Sequence, residues 1–418
     1  MSASNSPDWL GELPSSWDLV PSWSLYRRVK RTGHATEELL SVYRDHGVVP
    51  KSSRDDNHNV ESEDLSGYQL VRQGDLVMNK MKAWQGSIAL SEYQGIVSPA
   101  YFVFQPLHDG HLKYFHYLLR SQQYIGAYNR ISKGVRVGQW DLDPAYFRTL
   151  PIPVPPIDEQ RAIADFLDRE LAHIDRLIEA QQSLPILLNA RYNAQLISAT
   201  TRGLDPDEEF VNSGLEWAPR KPKNWTVKPF FTVGREISQK NGNSQESNLL
   251  SLSYGEVIEK DIDTNEGLLP ASFDSYQIIN PGNLVFRLTD LQNDKRSLRS
   301  ALSSHKGIIT SAYLAVQVSG VEPEFLAFQM RAWDLLKVFY SMGSGLRQSM
   351  KYEDLRRMPV VLPSLKEQQA IVRYLTQMNK SKNEIISETA KAVSLLKERR
   401  AALINAAVTG KIDVWGKN

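Results

Sequence analysis

The segment LPIPVPPIDEQRAIADFL, Leu150 to Leu167, recurs in the same chain as MPVVLPSLKEQQAIVRYL, Met358 to Leu375. Pro151 aligns with Pro359 and Gln160 with Gln368, an offset of 359 − 151 = 208. Outward from it, three blocks keep nearly that offset: Trp17 with Trp225, GDLV at Gly74 with GNLV at Gly282, and GIVSPAY at Gly95 with GIITSAY at Gly307. LISATTRG at Leu196 matches LINAAVTG at Leu403. Because order is preserved, one unit occurs twice in 418 residues, and such self-similarity decides architecture before any motif does. Length agrees, since a single core seldom organises a chain of this size.

Each unit reads as a globular part followed by a helix. The runs GIVSPAYFVF and GIITSAYLAV are β-branched and aromatic and lie between turn-forming clusters, as strands do. LKYFHYLLRSQQYIGAY from Leu112 and EFLAFQMRAWDLLKVFY from Glu324 carry apolar residues at helical spacing. The globular parts are therefore mixed α and β. PIPVPPID and PVVLPSLK cannot continue a helix and mark boundaries. Asn280-Pro281-Gly282 reads as a turn.

Beyond the prolines, Ile371, Leu375, Met378, Ile385, Ala392, Leu396 and Leu403 follow a four-three alternation, a coiled-coil seam. Ile163, Leu167, Ile174, Leu177, Leu184 and Leu188 repeat it more weakly, interrupted by Glu170 and Gln181. Pro185 lies inside that helix, where a lost hydrogen bond and a clash with the preceding turn cost about 3 kcal/mol, so a kink or break is expected there. A helix of some 40 residues is roughly 60 Å long, and an apolar stripe of that length needs a partner. The economical partner is the other unit's helix, paired antiparallel about a pseudo-twofold axis with the globular parts at opposite ends. The expected class is α+β.

Composition narrows the function. With 41% hydrophobic and 23% charged residues the chain reads as soluble and globular. No stretch approaches the roughly 18 apolar residues that span a bilayer, and MSASNSPDWLGELPSSW has no basic-then-apolar pattern, so a cytoplasmic protein is expected. Zero cysteines remove disulfides, thiolate nucleophiles and cysteine-bound zinc. His108, His111 and His116 match no HExxH motif, so no metal site is assigned to them. The net charge of +1 decides nothing about nucleic acid, because phosphate neutralisation needs local excesses of Lys and Arg.

In its order of domain, LPIPVPPIDEQ helix, domain and MPVVLPSLKEQ helix, the chain resembles the specificity subunits of Type I restriction-modification systems. LKERRAALINAAVTGKIDV at the end, VRQGDLVMNKMKAWQG and GIVSPAYFVF carry the same likeness, which covers the whole chain. The resemblance implies a first target-recognition domain at 1–156, a central helix at 157–201, a second domain at 202–364, a C-terminal helix at 365–412 and a tail at 413–418. It implies that each domain reads half of a split DNA site and that an antiparallel coiled coil spaces them. It also implies docking of two methyltransferase subunits, which hold S-adenosylmethionine, and of restriction subunits. No cofactor and no catalysis would belong to this chain.

Base readout needs Arg, Lys, Asn or Gln on a scaffold that phosphate contacts keep in register. SKGVRVGQWD offers Lys133, Arg136 and Gln139, and GSGLRQSMK offers Arg347, Gln348 and Lys351 at the equivalent place. A second cluster, Asn79, Lys80, Lys82 and Trp84, is matched by Arg287, Lys295, Arg296 and Arg299. Solvated surface charge would explain the loops in an arbitrary protein, but their repetition favours DNA contact; for the second cluster, phosphate or guanine contact and a basic solvent face stand as equal readings. Tyr101 and Tyr313 read as packed aromatics. Glu159, Gln160, Glu367 and Gln368 sit in first helical turns, where capping explains them and partner docking is the alternative. NKMKAWQGSIAL faces FRLTDLQNDKRSLRSAL, unlike in length and chemistry, so the two half-sites are expected to differ.

Two rivals remain. A fused modifying enzyme should show a glycine-rich cofactor loop, an Asn-Pro-Pro-aromatic motif or a phosphate-binding GxxxxGK[ST], and none is found. A coiled-coil adaptor that never touches DNA would need acidic globular surfaces.

Overall fold

The computed structural model describes residues 6–44, 46–54, 64–136, 139–242, 245–261, 272–292, 298–342 and 349–415. It divides into two compact units, 1–182 with 390–418 and 183–389. Both chain ends thus belong to the first unit, and the long helices Ile157–Arg202 and Leu365–Val408 each give one half to each unit.

In the first unit a four-stranded antiparallel sheet runs in the order Tyr26–Val29, Tyr101–Pro106, Leu76–Asn79, Ile88–Leu90. In the second it runs Gly234–Ile237, Leu314–Val318, Asn283–Phe286, Ser300–Leu302. The first strand repeats at 208 (234 − 26), as does Leu76 at Leu284 (284 − 76), whereas Ile88–Leu90 repeats at 212 (300 − 88), so four extra residues lie between Leu284 and Ser300. Alternation sets the two faces of the sheet. Leu76, Met78, Phe102 and Phe104 face a core filled by helices, while Val77, Ala89 and Val103 meet Leu40, Val71 and Val97. Leu284, Phe286 and Val316 divide from Val285, Ala301 and Ala315 in the same way.

The two GI runs are not single strands. Gly95–Val97 and Tyr101–Pro106 are separate strands in different sheets, and Gly307–Ile309 and Leu314–Val318 repeat the break. Glycine is needed at the start of each, because a Cβ on Gly95 or Gly307 would lie 2.4 Å from the carbonyl oxygen of Glu38 or Asn248. The long apolar run from Leu112 likewise forms two helices, Leu112–Leu119 and Gln122–Ile131, and its counterpart forms Pro323–Leu335 and Val338–Met342.

The proline-rich strings are short strands, as their restricted backbone requires. Pro151–Val154 pairs with Asp18–Pro21 and Pro359–Leu362 with Thr226–Pro229, in the same register. A long helix follows each. Gln160 and Gln368, 3% and 2% exposed, explain the repeated Glu-Gln. The Gln160 Oε1 accepts from the backbone N–H of His111 at 2.8 Å, and its Nε2 donates to the Pro155 carbonyl at 2.8 Å. Gln368 accepts from the N–H of Glu322 and donates to the Pro363 carbonyl, both at 2.9 Å. His111 and Glu322 precede the helices Leu112–Leu119 and Pro323–Leu335, so one amide ties two helix starts and the intervening proline together.

The antiparallel helix pairing is present within each unit. In the first, Ile163, Leu167 and Leu171 share a core with Leu403, Ile404, Ala407 and Val408, and Arg400 donates to Asp175 at 3.0 Å. In the second, Tyr192, Leu196 and Ala199 share a core with Ile371 and Leu375, the Tyr374 hydroxyl meets Gln195 at 3.1 Å, and the Lys382 Nζ lies 4.5 Å from the Tyr192 ring centre. Two seam positions need correction. Leu177 and Ile385 are 39% and 41% exposed, and Ile178, 9% exposed, and half-buried Ile386 take the inward places. Of the other expected positions, Leu184, Leu188, Met378, Ala392, Leu396 and Leu403 are half-buried, and Ile174 is buried. The expected break at Pro185 does not occur, since the helix is continuous from Ile157 to Arg202. Among the described residues no helix is long and apolar enough to cross a membrane.

Replacing Gln160 with Ala strands one buried donor and one buried acceptor, which should lower the stability of the first unit by about 1–3 kcal/mol. Gln368→Ala should do the same in the second. Denaturant unfolding measures both, and a Gln160→Ala chain as stable as the parent would refute the assigned role.

Candidate nucleic-acid interface

In the first unit the two sequence clusters meet. The hairpin Ser132–Arg136 with Gln139–Leu142 presents SKGVR and QWDL, and the Leu142 N–H donates to the Lys80 carbonyl at 3.1 Å. Trp140, on the hairpin, packs its ring 4.9 Å from that of Trp84 at an angle of 51°. Residues 79–84 and the hairpin therefore form one continuous surface. Lys82 and Lys133 are exposed on it, Asn79, Lys80 and Trp84 are half-buried, and Met81 is exposed beside them.

Local bonds hold this surface in shape. The Asn79 carboxamide oxygen accepts from the N–H of Met81 at 3.0 Å, and the Trp84 indole donates to the Met81 carbonyl at 2.9 Å. Left-handed Gly86 closes the short helix Ala83–Gln85. The Lys133 Nζ lies 5.0 Å from the Tyr146 ring centre. Lys80 donates to the Pro99 carbonyl and stands 4.9 Å from the centre of Phe102. Burial, then repulsion from Arg28, pulls the Lys80 pKa below the usual lysine range. Arg136 and Gln139 belong to the hairpin strands, but their side chains lie outside the described residues.

The second unit has the same frame. The Met350 N–H donates to the Leu288 carbonyl at 2.9 Å, the counterpart of Leu142 and Lys80 at an offset of 350 − 142 = 208. Lys351 is exposed at the start of the helix Tyr352–Leu355, its N–H held by Asp354 at 2.9 Å. Arg287 is half-buried, and its N–H donates to the Arg299 carbonyl at 2.8 Å. Lys295, Arg296, Arg347 and Gln348 lie outside the described residues.

Arg299 is a correction. It is 0% exposed, and its guanidinium donates to the carbonyls of Thr289 and Asp290 at 3.1 and 3.4 Å and to the Tyr340 hydroxyl at 3.4 Å. Its backbone N–H donates to Asp334 at 2.6 Å. A guanidinium bound to carbonyls inside the core fixes the 287–290 loop from behind and is closed to solvent. Burial raises the Asp334 pKa, opposed by the amide of Arg299.

The histidines are packed. His108 lies 4.3 Å from Phe115 and 5.2 Å from Tyr26 between ring centres, and burial lowers its pKa. Burial, then Arg120, brings the His116 pKa down to about 3. Tyr101 and Tyr313 are partly buried against the second core of their units, and their carbonyls accept from Gln69 and Gln277 at 2.9 and 2.8 Å.

Sequence reasoning missed Trp140 and Arg28. Trp140 stood inside SKGVRVGQWD, and pairing a hairpin aromatic with Trp84 was the available signal. Arg28 sits in YRRVKR, on the outer strand of the sheet opposite Phe104, with its guanidinium 4.3 Å from the Phe102 ring centre. Its relevance depends on a strand neighbour distant in sequence.

The chain is similar to several known proteins. Residues 35–184 match a family described as the Type I restriction modification DNA specificity domain. The putative Type I restriction enzyme MjaX specificity subunit of Methanocaldococcus jannaschii is 21% identical over 374 residues, covering 85% of this chain and 82% of that one. The EcoBI specificity subunit of Escherichia coli is 23% identical over 327 residues, covering 72% and 65%. The HsdS subunit from Thermoanaerobacter tengcongensis shares the fold at 15% identity and a TM-score of 0.54, over 96% of this chain and 98% of that one. A chain solved in work on complex assembly of a Type I system aligns at a TM-score of 0.68 and 15% identity, covering 96% of this chain and all of its own.

Arg299→Ala should destabilise the second unit by about 3–5 kcal/mol, the range for breaking a buried charged network. Lys82→Ala and Lys133→Ala should stay within about 0.5 kcal/mol of the parent, as surface changes do. Thermal melts distinguish them, and an Arg299→Ala protein with an unchanged melt would return that residue to the list of surface contacts.

Proposed function

We propose that this chain is a specificity subunit of a Type I restriction-modification system and reads an asymmetric bipartite DNA site with one half-site per unit, a reading supported by its likeness to that family. The observation that carries the reading is the repetition of one frame with unlike reading segments. The sheet order, the Leu142–Lys80 and Met350–Leu288 bonds and the Gln160 and Gln368 ties recur. The residues on that frame do not. Lys80, Lys82 and Trp84 in one unit stand where the other has Leu288, Asp290 and Gln292 at the simple offset.

In this reading Lys and Arg side chains hold phosphates while Asn, Gln and Arg reach base edges. Selective binding positions a separate catalyst over an adenine. Two methyltransferase subunits carry S-adenosylmethionine and extrude the base, restriction subunits cleave, and this chain binds no cofactor and does no chemistry. The helices space the units and offer the docking platform. The complex works in the cytoplasm.

The test is to purify the chain alone and with its methyltransferase subunits, measure methyl incorporation, and sequence the methylome of cells with and without it. Methylation only in the mixture is expected, at a motif of two specified parts separated by unspecified bases. Transplanting residues 79–84 and 132–142 from a relative should change one part of that motif only. Methylation by the chain alone would establish an enzyme, and complexes that never bind DNA would establish an adaptor.

A further inference from the structure

We infer that Arg28, Lys30 and Lys80 form a seat for a phosphodiester group of duplex DNA, built into the first unit and missing from the second. The inference rests on the DNA-binding reading above and adds to it where the backbone is gripped.

The geometry begins at one ring. Phe102 is almost fully buried at the rim of the first core, and two cations cover it, the Arg28 Cζ at 4.3 Å and the Lys80 Nζ at 4.9 Å from its centre. Each cation is attracted by the ring, but they repel each other. Lys30 adds a third positive charge close enough to contribute to the lowering of the Lys80 pKa, and Asp141 on the hairpin is the acid that opposes it. Among the described residues none of the three cations forms an ion pair. Arg28 and Lys30 are exposed, and Lys80 spends a donor on the Pro99 carbonyl. Three like charges with no carboxylate in ion-pair contact, and Asp141 alone opposing them at Lys80, are an incomplete balance that an anion from solution completes, and a guanidinium beside ammoniums suits the oxygens of a phosphate.

The second unit shows that the fold does not require this cluster. At the positions of Arg28, Lys30 and Lys80 it has Glu236, Ser238 and Leu288, yet its sheet has the same order. The cations therefore serve something that the scaffold does not. Their place supports a backbone contact rather than a free anion, because Lys80 is bonded through its carbonyl to the reading hairpin. A strand laid across Lys82 and Lys133 continues onto them.

The experiment uses the full chain assembled with its methyltransferase subunits and a duplex carrying the methylated motif. Binding is measured from about 50 to about 200 mM salt, where each neutralised phosphate contributes about 0.9 to the slope of log affinity against log salt. The double variant Arg28→Gln, Lys80→Gln should lose about 1 from the magnitude of that slope and bind about three- to tenfold more weakly at physiological salt. Its methylated motif should be unchanged. Arg28→Lys should keep the slope. Neutral methylphosphonates placed singly along the duplex should weaken the parent by a similar factor at one position and leave the double variant indifferent there. An unchanged slope, an altered motif, or no sensitive position in the parent overturns the seat. The methylphosphonate scan of the parent decides the matter even if the double variant fails to fold. If the parent complex shows no specific binding at all, the function proposed above falls with it.

Discussion

Burial of the helix seams is the constraint on which the rest depends. A helix of 46 residues with apolar side chains along one side does not persist alone in water, because helices in proteins draw most of their stability from tertiary packing. Here each long helix is covered in two instalments. Its first half shares the core of the globular part that precedes it, and its second half belongs to the other core. Each unit is thus a globular part gripping the start of one helix and the end of another. The ends are marked alike, by left-handed Gly203 near Trp225 and Pro222 and left-handed Gly410 near Trp17 and Pro14. The buried amides of Gln160 and Gln368 convert this packing into a fixed direction of departure for each helix, since they join its first turn to a second helix start.

That division of labour separates what must stay from what can change. The four-stranded sheet, the proline strands and the Gln ties are held by backbone pairing and buried polar contacts, and they recur in both units. The segments between Leu76–Asn79 and Ile88–Leu90 (80–87) and between Asn283–Phe286 and Ser300–Leu302 (287–299) differ in length and sequence. They are also stabilised differently. Trp84 and Trp140 clamp the first from the surface, while Arg299 anchors the second from the interior. Two chemistries can occupy one scaffold because the bonds that recur in these segments run through the backbone carbonyls of Lys80 and Leu288 and not through their side chains.

Much of the fold was legible because repetition and periodicity are linear signals. The offset of 208 revealed two units, and the proline strings located both helix starts. The errors have physical causes. A strict four-three alternation placed Leu177 and Ile385 inward, but an α-helix has 3.6 residues per turn and drifts from a seven-residue repeat, so Ile178 and Ile386 face the partner. Pro185 suggested a break, yet the helix runs through it. Arg299 looked like a surface base because sequence gives charge without depth. Arg28 escaped notice because its neighbours Lys80 and Phe102 arrive from strands more than fifty positions away. The Gly-flanked loops were found as candidates, and of their residues Lys133 and Lys351 have described side chains, both exposed.

The dependence of the first unit on residues 390–418 governs how the molecule comes into being. The ribosome delivers the chain from the N-terminus, so the first globular part emerges with part of its apolar interior uncovered and waits for Leu403, Ile404, Ala407 and Val408. The second unit, an uninterrupted stretch from 183 to 389, has all its parts before then. The domain made first is therefore the last to close. During that interval its bare apolar surface is the stretch of the nascent polypeptide that most needs a chaperone.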